Sequence, residues 1–232
     1  MANIFKSSIG KKLIMSVSGL CLILFLTFHM VMNLTYVFDP DSVVYGTICE
    51  ILSMGWVNVV VPVLAAFFIV HIVYAFILTI GNRKARGEQR YEVSNKAKTD
   101  SWAARNMFVL GVIVLCFIIL HLSQFWAKMQ LQNWLGGEEA DPYMLMEAVF
   151  GKWYNLCLYL IWFAALWFHL THGFWSALQT IGWNNQIWYK RLKVITCAYV
   201  TIVILGFTVV AVYAFLKANG LCGLVPYTPM LG

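Results

Sequence analysis

Four long apolar runs, each containing at least one histidine, constrain the fold of this chain more than any other feature. They read SVSGLCLILFLTFHMVM, VLAAFFIVHIVYAFILTI, FVLGVIVLCFIILHLSQF and LYLIWFAALWFHLTHGFW. Apolar runs close to the length that crosses a bilayer form helices, because a helix satisfies its own backbone hydrogen bonds in hydrocarbon. A fifth apolar run, at about 194–216, has no histidine. The sequence therefore predicts a bundle of membrane helices.

The composition is typical of a chain that is embedded in a lipid bilayer. Hydrophobic residues make up 61% of the 232 residues and charged residues only 11%, which excludes an ordinary soluble domain. We predict an all-α integral membrane protein, a single domain over residues 1–232 with five transmembrane helices at approximately 13–35, 57–81, 106–127, 154–180 and 194–216. The connections, including FDPDS, the segment around Glu50 and GGEEADPYMLME, are predicted to be loops. No length remains for a soluble domain, so chemistry on water-soluble substrates is expected from another chain.

The basic residues indicate the orientation. Thirteen of the sixteen Lys and Arg residues lie at one set of helix ends: before the first helix, between Arg83 and Arg105, and from Lys190 to Lys193. The positive-inside rule places these ends in the cytoplasm, with the N-terminus inside and the C-terminus outside. The net charge of +6 thus reflects membrane topology and not a nucleic-acid partner.

The histidines fall at two depths. His29 and His121 lie 17 and 16 residues from the basic ends of their helices, which is roughly 25 Å along a helix. His71 lies 12 residues before Arg83 and His172 lies 11 before Trp183, at the inner ends of their helices, or roughly 17 Å away. Each depth therefore receives two imidazoles from different helices, an arrangement suited to two haems with two axial histidines each. No C-x-x-C-H motif is present, so the haems would be b-type.

Other uses of membrane histidines stay open at this point. A lone histidine in a membrane helix is often a hydrogen-bonded core residue or a proton relay. A zinc or copper cluster would bring its ligands to one level and usually includes Cys or carboxylates. His169 lies three residues before His172, at a depth that fits neither pair as well. We predict His172 as the ligand and His169 as its hydrogen-bonding neighbour.

Three elements of the sequence now resemble a known family. S-x-S-G-L at residues 16–20 followed by His29, one histidine on each of the first four helices, and H-G-F-W-S-A-L at residues 172–178 resemble the five-helix dihaem cytochrome b anchor subunit of succinate dehydrogenases and fumarate reductases. The resemblance covers nearly the whole chain. It implies two haem b groups as cofactors and menaquinone as substrate. It also implies a complex with a flavoprotein (FAD) subunit and an iron–sulfur subunit in the bacterial cytoplasmic membrane. A dimer of such heterotrimers is compatible with the resemblance.

The resemblance also implies roles for individual residues. His71 and His172 would hold the proximal haem, and His29 and His121 the distal haem. Glu50 is the nearest counterpart of the family's quinone-site carboxylate, which accepts protons from the quinol; a solvated loop acid is the alternative. Ser16 and Arg105 are predicted to contact haem propionates.

Two competing functions remain. A cytochrome b561-like transmembrane electron carrier also places single ligands on four helices, but it usually has six spans. A proton-coupled transporter with a histidine relay would show broken helices and internal repeats, and neither is evident in the sequence.

Overall fold

The chain folds into helices. The computed structural model describes residues 7–38, 43–86, 102–183 and 185–223, without the side chain of residue 222, and no strand occurs in this part of the chain. The helices are α1 (Ser8–Phe38), α2 (Val43–Ser53), α3 (Val57–Arg86), α4 (Trp102–Gln124), α5 (Gln130–Leu135), α6 (Pro142–Phe150), α7 (Trp153–Thr180) and α8 (Gln186–Ala218). Short 3-10 turns follow α4 and α8.

Five of these helices are long and apolar enough to cross a membrane: α1, α3, α4 with its following turn, α7 and α8. The predicted number of long apolar helices and the all-α class are confirmed. The helices extend further than predicted, since α1 begins at Ser8 and α8 at Gln186. The hydropathy of a segment marks the part that lies in hydrocarbon, whereas the helix continues into the interface, where Lys and Arg side chains reach water.

The segments predicted as loops contain helices, which corrects that part of the sequence analysis. α2 includes Glu50, and α5 and α6 lie between α4 and α7. α6 begins where the Asp141 side chain accepts a hydrogen bond from the Met144 backbone N–H at 2.8 Å, with Pro142 in the first turn. Both features favour a helix start. α5 ends at Leu135, and the next residue, Gly136, has a φ of 70° and donates its backbone N–H to carbonyls of the last turn.

Two predicted features lie outside the described residues. They are the acids Asp39 and Asp41 of the first acidic segment, and the part of the basic segment that runs from residue 87 to residue 101.

The chain divides into two compact units. The first unit comprises Met1–Leu26, Val59–Val112 and Phe168–Val200. The second comprises Thr27–Asn58, Ile113–Trp167 and Thr201–Gly232. The histidines divide between them, with His71, His169 and His172 in the first unit and His29 and His121 in the second.

Candidate functional site

The second unit brings together the histidines of α1 and α4. The ring centres of His29 and His121 are 5.9 Å apart, and the ring planes are nearly perpendicular, at 85°. Aromatic side chains surround this pair: Phe207 lies 5.8 Å from His29, and Trp162 lies 5.8 Å from His121. The two imidazoles therefore meet in a largely apolar environment.

The first unit brings together the histidines of α3 and α7. The ring of His71 lies 6.4 Å from that of His169, with the planes inclined at 67°. The ring of His172, three residues further along α7, lies 6.3 Å from the ring of Trp175. The imidazole that the structure places beside His71 is therefore that of His169, the residue that the sequence analysis assigned to a supporting role.

Both ring separations match those required by a shared metal ion. A metal–imidazole bond is about 2 Å long, and a ring nitrogen lies about 1 Å from the ring centre, so two imidazoles on one ion have centres about 6 Å apart. Edge-to-face aromatic pairs cover the same range, so spacing alone does not distinguish the two arrangements. The hydrogen bonds of the ring nitrogens provide a second criterion.

The orientation of His121 is set by a tyrosine. Its Nδ1 lies 3.3 Å from the hydroxyl of Tyr159 on α7, and that hydroxyl donates to the Gln124 side-chain oxygen at 2.8 Å. Because the phenol proton is used by Gln124, the phenol oxygen accepts from the Nδ1–H of His121. The lone pair of this imidazole is therefore on Nε2. In metal sites, the ring nitrogen that does not bind the metal commonly donates a hydrogen bond of this kind, which fixes the orientation of the histidine.

His71 has the same arrangement in the first unit. Its Nδ1 lies 3.3 Å from Ser18 Oγ, and the Ser18 hydroxyl donates to the carbonyl of Met15 at 3.1 Å. The serine oxygen accordingly accepts from the Nδ1–H of His71 and leaves the Nε2 lone pair free for a ligand. Ser18 is only 2% exposed, so this contact is protected from water.

The partner rings are held differently. Asn33 Nδ2 donates to the backbone carbonyl of His29 at 2.8 Å and lies 3.5 Å from His29 Nε2, the outer limit of a hydrogen bond. Nδ1 of His169 is buried and has no hydrogen-bond partner among the described residues. An orphaned ring nitrogen costs free energy, so His169 is held less firmly by hydrogen bonds than His71 or His121.

Two glycines make room for the rings of the first unit. A Cβ atom at Gly19 would lie 3.2 Å from Cε1 of His71, and one at Gly111 would lie 3.7 Å from Cε1 of His169. The first distance is tighter than normal packing allows, so His71 keeps its position because residue 19 has no side chain.

Comparison of the chain with protein-family models, curated proteins and solved structures finds no match. The chemistry of the site is therefore argued from its own residues. No group of three or more His, Cys, Asp or Glu side chains in the described ranges is arranged to hold a metal ion. Two pairs of imidazoles fit iron porphyrin, since the macrocycle supplies four ligands and the protein the remaining two.

The other predicted site residues are placed as follows. Ser16 is 7% exposed on α1, and Arg105 is exposed on α4. Glu50 is exposed on α2. None of these three contacts the imidazole pairs through a described hydrogen bond.

Ser18 and Tyr159 are the supporting residues that the sequence analysis missed. Ser18 lies within the S-x-S-G-L segment, and both Ser18 and the neighbouring Gly19 lie against the ring of His71. Tyr159 gives no comparable signal, because a tyrosine in an aromatic-rich span reads as ordinary packing. The contact between Tyr159 and His121 joins residues 38 positions apart and depends on how α4 and α7 pack.

Proposed function

We propose that this chain is the dihaem cytochrome b membrane anchor of a succinate:quinone oxidoreductase, acting as succinate dehydrogenase or as quinol:fumarate reductase. The observation that carries the proposal is the pairing of imidazoles, with Nδ1–H of one ring in each pair bonded to a hydroxyl oxygen. Bis-imidazole ligation leaves no open position on iron and so favours electron transfer over oxygen chemistry.

The residues that would hold the two haem b groups follow from the contacts. His29 and His121 would ligate one group in the second unit. In the first unit His71 would be one ligand, and the ring contact of 6.4 Å favours His169 as the other. His172, predicted from depth along the helix, is the alternative ligand. A bound haem would supply a reversible one-electron carrier, while Ser18 and Tyr159 orient the rings.

The proposal includes a membrane setting and partners. The chain would span the bacterial cytoplasmic membrane five times, with the N-terminus in the cytoplasm as the distribution of Lys and Arg predicts. An iron–sulfur subunit, itself bound to an FAD-containing flavoprotein subunit, would exchange electrons with the chain, and menaquinone would react in the membrane. Ser16 and Arg105 stay candidates for contacts with haem propionates.

The carboxylate of Glu50 is the quinone-site residue that the family resemblance suggests. Its exposed position on α2 makes it accessible to a lipid-soluble quinone or to water. Loss of quinone turnover in Glu50→Gln with unchanged haem content is expected if this residue accepts the quinol protons.

The test is the haem content of the purified chain in detergent or lipid nanodiscs. We expect two non-covalently bound haems for each chain, with low-spin absorbance bands that sharpen on reduction and two steps in a redox titration. A colourless polypeptide, or one with a single haem, would overturn the proposal. A proton-coupled transporter would lack these bands. A cytochrome b561-like carrier would have them, but would not form a complex with a flavoprotein and an iron–sulfur subunit.

A further inference from the structure

Lys217, in the last turn of α8, points into the protein. It is 5% exposed, and its Nζ lies 4.9 Å from the ring centre of Tyr143 and 5.4 Å from that of Tyr36. A lysine at the end of a membrane helix ordinarily extends toward water. This ammonium is instead enclosed by aromatic faces, which attract a cation through their quadrupoles.

Glu147 on α6 is the anion that faces this lysine. Its Oε1 lies 4.0 Å from Lys217 Nζ, and the lysine and glutamate side chains are 7% and 12% exposed. Removing two charges from water costs more than a pair at this distance regains, so such a pair is a poor source of stability. Ionisable groups kept at this cost at the end of a membrane helix indicate function by default.

Three tyrosines from three helices form a cluster, two of which, Tyr36 and Tyr143, face Lys217. The rings of Tyr36, Tyr45 and Tyr143 lie 4.8 to 5.3 Å from one another. Tyr36 is 0% exposed, and its hydroxyl has no hydrogen-bond partner among the described residues. A buried donor without an acceptor costs free energy, and an oxygen atom of a bound molecule would satisfy it.

The helix that carries Glu147 is hydrogen-bonded to the histidine site. The carbonyl of Val149 on α6 accepts from Asn155 Nδ2 at 2.8 Å, and Asn155 Oδ1 accepts from Gln124 Nε2 at 3.5 Å. Gln124 is the acceptor for Tyr159, whose hydroxyl holds His121. The ring of Phe150, the last residue of α6, also lies 4.8 Å from that of Tyr159.

α1 provides a second connection. Tyr36 follows His29 by seven residues, which is two turns of helix and the same face. The ion pair and the His29–His121 pair are therefore held by the same structural elements of the second unit.

We propose that Glu147, paired with Lys217, exchanges protons with the quinone, an inference that rests on the proposed function. A quinol loses two electrons and two protons on oxidation. For each electron, one quinol O–H bond breaks, the Glu147 carboxylate takes the proton, and the electron passes to the centre proposed at His29 and His121. Glu147 then releases the proton to water, and the reverse sequence applies to quinone reduction.

Charge balance supports this assignment. The Glu147–Lys217 pair is neutral before the transfer and carries one positive charge afterwards, while the electron adds one negative charge at the histidine pair. The second unit as a whole therefore keeps its net charge, and the Lys217 ammonium is without its anion only until Glu147 releases the proton.

The experiment compares Glu147→Gln with the wild-type chain in nanodiscs. Haem reduction by a water-soluble naphthoquinol is followed by stopped-flow absorbance, and haem content and the dithionite-reduced spectrum are recorded for each variant. Loss of general base catalysis typically costs 10²- to 10⁴-fold, so we expect the reduction rate to fall about 100-fold while haem content stays unchanged. Glu138→Gln, an exposed acid of the α5–α6 connection, is the matched control and should react at the wild-type rate.

The outcomes separate this inference from the function on which it rests. A wild-type chain without haem overturns both. If the wild-type chain binds haem and the Glu147→Gln variant reacts at the wild-type rate, only the role of Glu147 is overturned. Slow turnover in Glu50→Gln but not in Glu147→Gln would also overturn that role. If Glu147→Gln alone loses haem, the neutral double variant Glu147→Gln/Lys217→Met gives the same test without an unpaired buried cation.

Discussion

His121 Nδ1 and the Tyr159 hydroxyl oxygen lie 3.3 Å apart, and the tyrosine proton is directed to Gln124. The contact between His71 and Ser18 has the same polarity, because the Ser18 proton is directed to the carbonyl of Met15. In both units the hydroxyl donates its own proton in one hydrogen bond, and its oxygen accepts a second hydrogen bond from an imidazole N–H. This arrangement selects one tautomer and leaves Nε2 as the nitrogen able to bind iron.

Tyr159→Phe should raise the midpoint potential of one haem. A hydrogen bond at Nδ1 makes the imidazole a stronger electron donor and stabilises oxidised iron, so its removal favours the reduced form. A tenfold increase in the reduced-to-oxidised ratio at fixed potential corresponds to about 59 mV for one electron. An anaerobic redox titration, followed at the visible absorbance bands, measures the shift.

The matched control for this prediction is Tyr154→Phe. Tyr154 is on the same helix but is 47% exposed, so its loss should leave both potentials unchanged. Equal potentials in wild-type and Tyr159→Phe proteins that both contain two haems would show that the hydrogen bond does not act on the iron.

His169→Ala should lose one of the two haems, whereas His172→Ala should keep both. The reason is the contact of the His169 ring with the ring of His71. The haem-to-protein ratio, measured by pyridine haemochrome absorbance and amino-acid analysis, should fall from two to one in the first variant only. The opposite result would identify His172 as the haem ligand, as its depth along the helix predicts.

Gly19→Leu should also remove the haem of the first unit. Since even a Cβ atom would lie 3.2 Å from His71 Cε1, a leucine must displace that ring. Gly81→Leu on α3 is the control, because a Cβ atom added at Gly81 would meet no described atom within 4 Å. We expect the ratio of haem to protein to halve in Gly19→Leu and to remain at two in Gly81→Leu; retention of both haems in Gly19→Leu would contradict the role of this contact.

The sequence predicts the long apolar helices well, because they are determined by local composition. Runs such as that around His71 are long and apolar enough for a helix that could cross a membrane, and a titratable residue within such a run is a candidate functional residue because burying it costs free energy. Depth along a helix also selects His29 and His121, whose rings lie side by side in the structure.

Depth does not decide between His169 and His172, which differ by less than one turn. Rotation about the helix axis decides which of the two faces α3, and rotation depends on packing and not on position along the axis. The contacts of Lys217 with Tyr36 and Tyr143 were missed for a related reason. The contact with Tyr143 involves α6, which lies within the segment GGEEADPYMLME and its continuation that the sequence analysis predicted as an acidic loop.

Cys49 offers a test of whether α2 is a packed helix, as the structure has it, or the loop that the sequence predicted. The thiol is partly buried beside Tyr45, and burial raises the pKa of Cys49 to about 11. A thiol in an exposed loop has a pKa of about 8.5, so the thiolate fraction at pH 8 should be lower in the folded protein by about two orders of magnitude. A thiolate with a higher pKa is also a stronger nucleophile, and this offsets about half of the difference in thiolate fraction on a logarithmic scale. We therefore expect Cys49 to be alkylated about tenfold more slowly in the folded protein than in the unfolded chain.

The measurement uses a variant in which the other five of the six cysteines are alanine, treated with iodoacetamide and followed by mass spectrometry. The rate should keep rising with pH beyond 10, because the thiol is still largely protonated there, whereas the same chain in denaturant should level off near pH 9 to 10. Identical pH profiles in the two conditions would mean that Cys49 is solvated and that α2 does not pack against its neighbours as described.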